Sequence, residues 1–190
     1  MFRKILFISL LIAPGLVLAN ELSQEELEDL LAVKIRFARH MALNPSIVRA
    51  VEAQNSQQLA LAEIKRRDDE WKNAGDEPTA LIREITGNKV ARYFERRVEN
   101  NVAIDEVFLT DNQGANVAAF PPTSDYWQGD EEKWTASYNN GNGVVFIGPL
   151  EFDDSTQKTQ VQISAPILSQ NQTVGVLVLG VSVDYLTQQQ

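Results

Sequence analysis

Apolar residues in the N-terminal part of the chain recur at spacings of three and four. Between residues 22 and 41 they follow the period of an α-helix. These apolar positions are Leu27, Leu30, Leu31, Ile35, Ala38 and Met41. Ser23 and Glu26 form a capping box at the start of the run, because each side chain can satisfy a backbone N–H of the other residue. The spacing therefore predicts a long amphipathic helix that packs on a core.

Two further helical segments follow the first one. Asn44-Pro45 ends the first helix and begins the next, since Asn caps a helix and Pro is tolerated at its first position. The second segment is predicted over residues 45 to 74, with an interruption near Asn55. The third is predicted over residues 79 to 100, although Gly87 weakens its middle.

After residue 105 the pattern changes to the two-residue period of β-strands. Short connections of turn-forming residues separate runs rich in β-branched and aromatic side chains. The five runs cover residues 106–110, 116–120, 143–152, 158–168 and 173–183. We therefore predict an α+β fold: helices come first, followed by one five-stranded antiparallel sheet with a helical insertion between its second and third strands.

The first residues have the pattern of an export signal. Arg3 and Lys4 precede an apolar run that ends at Ala19, and Pro14 interrupts this run. A membrane anchor is the alternative, but spanning a bilayer takes about 20 apolar residues. We therefore expect residues 1–19 to be a signal peptide.

The remaining chain, residues 20–190, is long enough for one domain with a sizeable core. We expect it to be mainly helical over residues 20–104 and to form the sheet over residues 105–186. Export by such a signal predicts a protein of the periplasm. The sequence has no Cys, so no disulfide contributes to its stability.

The charge of the chain is strongly negative. The formal net charge is −9, and loss of Arg3 and Lys4 would leave 15 basic and 26 acidic residues, a charge of −11. Such a surface repels phosphate backbones, because their binding depends on neutralisation by Lys and Arg. Nucleic acid and anionic lipid are therefore excluded as expected partners.

Residues for catalysis are scarce. The chain has no Cys nucleophile, and its single His40 has no second His at the spacing of zinc ligands. Acidic pairs such as Asp153-Asp154 are typical of solvated surface, so neither a carboxylate hydrolase nor a calcium site is favoured. We expect no enzymatic activity, no metal site and no cofactor.

The segment from Thr123 to Trp134 combines aromatic, acidic and amide side chains. Aromatic walls with a few polar groups suit a small-molecule pocket. Packing against the sheet is the alternative for Tyr126 and Trp134. Asp130 is expected to cap a short helix that runs to Tyr138.

Four stretches resemble the Cache, or PDC, family of extracytoplasmic sensor domains. They are residues 107–118, 124–131, 161–167 and 174–181, which include Ser124-Asp125-Tyr126-Trp127-Gln128-Gly129-Asp130-Glu131. Residues 53–55, 61–64 and 69–71 resemble the helical part of stand-alone exported members. The resemblance covers about residues 25 to 186 and implies a long N-terminal helix on a PAS-like antiparallel sheet.

The resemblance also implies a ligand site between the sheet and the helix and loops after the second strand. Transferred to this sequence, the site residues are Tyr126, Trp127, Asp130, Trp134, Phe152, Gln162 and Ser164. The ligand class is an amino acid, an amine or an organic acid. Acidic and aromatic surroundings slightly favour a cationic or amine ligand, because cations are attracted to carboxylates and to ring faces.

Most sensors of this family continue from the last strand into a membrane helix, whereas this chain ends shortly after Val183. The resemblance therefore implies a separate membrane-bound kinase, cyclase or chemoreceptor as the signalling partner. The alternative is an interaction protein without a ligand, which uses the first helix to form a homodimer or to bind a partner. That alternative predicts a filled pocket and an exposed apolar stripe on the first helix.

Overall fold

The computed structural model describes residues 24–75, 77–153, 158–183 and 185. The predicted signal peptide and the capping residue Ser23 lie outside the described residues. Within these ranges six α-helices accompany a six-stranded antiparallel sheet, which confirms the predicted α+β, PAS-like fold class. None of the described helices combines the length and the apolar content that are needed to cross a membrane.

Five helices precede the sheet in the chain. They are α1 (Gln24–Ala42), α2 (Pro45–Asn55), α3 (Leu61–Lys72), α4 (Ala80–Gly87) and α5 (Lys89–Glu99). The predicted interruption near Asn55 is confirmed. The third predicted helix is two helices, because Asn88 is extended and its side chain accepts hydrogen bonds from Val90 N and Ala91 N. Asn88 therefore caps α5 instead of continuing α4.

The strands confirm the predicted runs with one difference. They are β1 (Ile104–Thr110), β2 (Asn116–Phe120), β3 (Phe146–Ile147), β4 (Glu151–Asp153), β5 (Lys158–Ser169) and β6 (Gln172–Ser182), in the order β2-β1-β6-β5-β3, with β4 also paired to β5. The third predicted strand is divided into β3 and β4. Pro149 lies between them and has no N–H for a strand ladder.

The helices cover both faces of the sheet. Helices α1, α2 and α5 pack on the first face, where Val161, Ile163, Ala165 and Ile167 of β5 are fully buried. Residues of α3 and α4 and the segment after β2 pack on the second face around Phe108, Val176 and Val178. The four β5 residues of the first face alternate with Gln162, Ser164 and Pro166, which is the two-residue period predicted for this run.

The predicted helical insertion is α6 (Glu132–Tyr138), but its cap differs from the prediction. Glu131 is the N-cap residue, without a side-chain hydrogen bond, and Asp130 is exposed. Glu131 N donates to Gln128 O at 3.1 Å, so Asp130 lies inside the turn that precedes α6. The expected cap at Asp130 was wrong for this reason.

Candidate functional site

The second face of the sheet changes from apolar to polar along its strands. One row across β1, β6 and β5 consists of Phe108, Val178 and Ser164. The next row on the same face consists of Glu106, Gly180 and Gln162. The apolar row packs against the segment after β2, whereas the polar row borders open space.

Two adjoining cavities lie over this polar row. The first has a volume of about 280 Å³ and extends from β1 to residues 121–128. The second has a volume of about 210 Å³ and lies between α6 and the β3–β4 region. Lys133, Gln160 and Gln162 line both cavities, and we call the two together the crevice.

Charges of both signs line the crevice. Lys133 is the only cation among its described lining residues, and its Nζ lies 2.7 Å from a carboxylate oxygen of Glu131. The same Nζ lies 5.5 Å from the centre of the Phe108 ring. The carboxylates that line the crevice are those of Asp105, Glu106, Glu131, Glu132 and Glu151. The crevice thus offers one positive site in a negative surrounding.

Two residues that line the first cavity each contain a buried acceptor atom without a hydrogen-bond donor. Gln128 is 1% exposed; its Nε2 donates to the Asp125 carboxylate, but its Oε1 has no partner. Asp105 Oδ1 accepts from Lys158 Nζ at 2.6 Å, whereas Asp105 Oδ2 is unpartnered. Buried polar groups are normally hydrogen-bonded, so these two oxygens indicate a place for an N–H donor.

The predicted aromatic site residues form the wall behind the crevice. Tyr126 is 1% exposed, and its ring centre lies 6.1 Å from that of Trp71. The Trp127 indole donates to Gln113 O at 2.8 Å. Trp134 stacks on Tyr138 at a centroid separation of 4.7 Å. Trp127, Trp134 and Tyr138 also pack against the second-face cluster around Phe108, which holds the segment after β2 and α6 on this face.

The other predicted residues are distributed around the crevice. Gln162 lines both cavities, and its Nε2 donates to Glu106 Oε1 at 2.7 Å. Ser164 lies one row away, fully buried and with an unpartnered hydroxyl. Phe152 on β4 is 41% exposed, and Asp130 is exposed in the turn before α6. Of the seven predicted site residues, Gln162 alone is among the residues that line the described crevice.

Sequence reasoning missed Lys133, Glu106 and Gln128 as crevice residues. Lys133 and Gln128 lie within the segment from Thr123 to Trp134, of which the prediction included the aromatic residues and Asp130. Glu106 begins the first predicted strand, and strand alternation places it on the same face as Phe108. Reading the polar positions of β1 and β5 as one surface would have identified Glu106.

A buried carboxylate joins the crevice wall to α3. Asp68 Oδ1 accepts hydrogen bonds from Tyr126 N at 2.9 Å and from Trp127 N at 3.0 Å. Its other oxygen lies 2.6 Å from Lys72 Nζ. Burial, followed by the charges of Glu131 and Asp68, raises the pKa of nearby Asp125. The backbone of the wall is therefore held by a side chain of a different element.

No group of three or more His, Asp or Glu side chains that could hold a metal ion occurs in the described part of the chain. His40 is exposed on α1, as expected for a residue on the helix face.

No family model matches the sequence, and no curated protein matches it. Among solved structures, the chain is similar to the sensory domain of the Campylobacter jejuni chemoreceptor Tlp3 with isoleucine bound, with a TM-score of 0.41, 14% identity, and coverage of 88% of this chain and 66% of that one. It is also similar to the ligand-binding domain of the Pseudomonas aeruginosa PAO1 amino-acid chemoreceptor PctC in complex with GABA, with a TM-score of 0.43, 15% identity, and coverage of 73% and 58%.

A third similar structure is the extracellular domain of rpHK1S-Z16, which is assigned as a histidine kinase. Its TM-score is 0.44 and its identity 15%, with coverage of 84% of this chain and 61% of that one. The chain thus spans from 58% to 66% of the length of these three domains. They are sensory, ligand-binding or extracellular domains of two chemoreceptors and of a protein assigned as a histidine kinase.

Proposed function

We propose that this chain is a non-enzymatic small-molecule sensor module of the periplasm, whose ligand binds in the crevice. The observation that carries the proposal is the pair of unpartnered acceptors, Gln128 Oε1 and Asp105 Oδ2, in residues of a cavity whose described lining includes one cation, Lys133. Burying such oxygens without a donor costs stability, so a ligand that supplies donors gains binding free energy there.

The charges of the crevice suit a ligand with an ammonium group, as an amine or an amino acid has. The ammonium would bind near Gln128, Asp105 and Glu106. A carboxylate on the same ligand would take the place of Glu131 beside Lys133 Nζ. The cavities of about 280 and 210 Å³ suit a molecule of amino-acid size, because larger drug-sized ligands occupy about 300 to 1,000 Å³.

The predicted site residues take part in this proposal in two ways. Gln162 would contact the ligand directly, and Tyr126, Trp127 and Trp134 would shape the wall that closes on it. Asp130 and Phe152, which are exposed, would flank the entrance of the crevice. Ser164, which is buried, would lie below its floor.

Asp68 gives the wall a route to α3. A ligand that binds one arrangement of the wall more tightly shifts the population toward that arrangement. Since Asp68 holds the backbone of Tyr126 and Trp127, the shift reaches the surface of α3. A separate membrane-bound kinase, cyclase or chemoreceptor would read this change.

The alternative is an interaction protein that has no ligand and dimerises through α1. It predicts an apolar stripe on the exposed side of α1. Leu31, Ala38 and Met41 are instead buried against the sheet. Among the described side chains of α1, Val33 is the one large apolar side chain that is exposed, at 63%. These positions favour the sensor.

The test is thermal unfolding of the purified protein with a library of amino acids, amines and organic acids. A ligand at about 100 times its Kd adds about 2.7 kcal/mol to the free energy of unfolding. The stabilisation should be lost in Lys133→Met if the ligand carries a carboxylate, and in Glu106→Gln if it carries an ammonium group. Arg36→Met removes an exposed positive charge of α1, away from the crevice, and should keep the full response.

Stabilisation by a ligand that Lys133→Met, Glu106→Gln and Arg36→Met all retain would place binding outside the crevice. No response to any compound, combined with a dimer in light scattering, would support the interaction protein instead.

A further inference from the structure

A larger cavity lies away from the crevice, between the starts of α2 and α5. Its volume is about 710 Å³, within the range of small-molecule sites. Ile47 of α2 and Val117 of β2 line it and are almost completely buried, at 1% and 7% exposure. Ala50 and Val90 add further apolar surface. These four side chains give the cavity an apolar floor, and Asn44, Ser46, Asn88 and Tyr93 add polar groups to its lining.

The charge of this cavity is opposite to that of the protein. Arg49 and Lys89 line it, and no acidic residue is among its described lining residues. Neither cation forms an ion pair with a described carboxylate, and the Arg49 guanidinium donates only to the Ser46 hydroxyl, at 3.1 Å. Two cations without an ion pair to a described carboxylate thus line one cavity of a chain whose net charge is −9.

The two helix starts beside the cavity contribute little charge of their own. The Asn44 side chain accepts from Ser46 N, and the Asn88 side chain accepts from Val90 N and Ala91 N. Because these caps occupy the amides, an anion in the cavity depends on the Arg49 and Lys89 side chains.

We propose that this cavity is a second binding site, for a small monocarboxylate with a short apolar tail. The carboxylate would bind Arg49, whose guanidinium can form two parallel hydrogen bonds with it, and Lys89. The tail would cover Ile47, Ala50 and Val117, which removes apolar surface from water. A positive rim over an apolar interior fits this amphipathic class and disfavours amines.

In this proposal a small molecule occupies the cavity. The competing occupant is another copy of the chain. The first turn of α1 carries the exposed acidic residues Glu25 and Glu26, which could meet Arg49 and Lys89 of another copy. A cavity of about 710 Å³ that reaches buried Ile47 and Val117 favours a slender tail over a helix.

The test is calorimetric titration of the purified protein with octanoate at low ionic strength. Octanoate should bind at one site, while octylamine and octan-1-ol, which share the tail, should bind at least about tenfold more weakly. The double variant Arg49→Ala/Lys89→Ala should lose about tenfold or more in octanoate affinity, because hydrogen bonds to charged groups are lost. Arg36→Ala/Arg92→Ala removes two exposed cations elsewhere and should bind like the parent.

A second variant tests the interior of the cavity without a change of charge. Ala50→Phe fills space beside Ile47 and should abolish octanoate binding, with circular dichroism to confirm the fold. Lys133→Met should leave octanoate binding intact, because Lys133 belongs to the crevice.

Three results would overturn the proposal. One is equal affinity for octylamine and octanoate, and another is unchanged affinity in both Arg49→Ala/Lys89→Ala and Ala50→Phe. The third is a dimer that dissociates in Arg49→Ala/Lys89→Ala while octanoate has no effect on the parent, which would assign the cavity to another copy of the chain.

Discussion

Gln162 and Glu106 meet across a strand that lies between theirs. Both are paired in register with Gly180 of β6, Glu106 from β1 and Gln162 from β5. Their side chains join over Gly180 through the hydrogen bond of 2.7 Å. A Cβ at position 180 would collide with the Glu106 side chain. Because Gly180 has no side chain, the side chains of Glu106 and Gln162 can form this hydrogen bond above it, in the floor of the crevice.

Gly180→Ala should therefore disturb the crevice. The added methyl group pushes Glu106 away from Gln162, and overpacking of this kind costs about 1 to 3 kcal/mol. Urea unfolding should report this loss, and the thermal response to a crevice ligand should shrink with it.

Gly87→Ala is the matched control, because a Cβ there meets open space. It should raise stability by up to about 1 kcal/mol through better helix propensity in α4. A Gly180→Ala protein as stable as the parent would contradict the close packing over β6.

Asp68→Ala should destabilise the protein more than most substitutions on a helix surface do. The change leaves the N–H groups of Tyr126 and Trp127 without acceptors, and we expect a loss of about 2 to 4 kcal/mol in urea unfolding. Asp69→Ala, at the exposed neighbouring position, should change stability by less than about 0.5 kcal/mol. Similar effects of the two substitutions would mean that Asp68 does not hold the crevice wall.

Gln54 and Asp111 should show a pH-dependent coupling. Burial raises the pKa of Asp111, while the Gln54 amide, which donates to its carboxylate at 2.9 Å, lowers it. The net raised pKa means that stability from this group falls as pH rises from the usual value of about 3.9 through the folded pKa. The bond from Gln54 favours the ionised form, so its contribution is complete above the folded pKa and is lost below it.

Gln54→Ala should accordingly cost about 1.5 to 3 kcal/mol at neutral pH and less in acid. Urea unfolding over a pH series measures the difference from the parent. Gln57→Ala, on an exposed residue after α2, should show no such pH trend. A Gln54→Ala cost that stays constant down to the lowest pH at which the protein folds would contradict the coupling.

Ser164→Ala should stabilise the protein. Its buried hydroxyl has no partner, so removal relieves a desolvation cost, and we expect a gain of about 1 kcal/mol. Ser137→Ala provides the contrast, because the Ser137 hydroxyl donates to Val144 O at 2.8 Å and its loss should cost about 1 kcal/mol.

The Ser164→Ala variant also tests a predicted ligand residue. If Ser164 contacts the crevice ligand, the thermal stabilisation by that ligand should fall in the variant. An unchanged response would remove Ser164 from the proposed site.

The sequence predicted the elements well where their period was strong. The spacing in α1 and the alternation in β5 each reflect one buried face, which is a local property of the chain. The sequence predicted only a weak point at Gly87, whereas the chain begins a new helix after Asn88. The capping role of Asn88 depends on its extended backbone, which the sequence alone does not show. The two strands in place of one at Pro149 have a similar local cause.

The arrangement of the candidate sites could not be predicted in this way. Glu106 and Gln162 meet only because β6 lies between β1 and β5, and that order depends on the whole sheet. Arg49 and Lys89 belong to different helices and line one cavity only because the starts of α2 and α5 lie beside Val117 of β2. Residues 40 positions apart in the sequence give no local pattern that would join them in one site.

The position of β6 has a consequence for how the protein forms. This strand follows all the other described strands in the chain, yet it joins β1 to β5 at the centre of the sheet. Helices α1 to α5 can form from local contacts during synthesis, but the central pairings require residues far apart in sequence. Until β6 has been synthesised, β1 and β5 each keep one unpaired edge, and such edges are prone to aggregation. We therefore expect a partly synthesised chain to depend on chaperones up to its last strand.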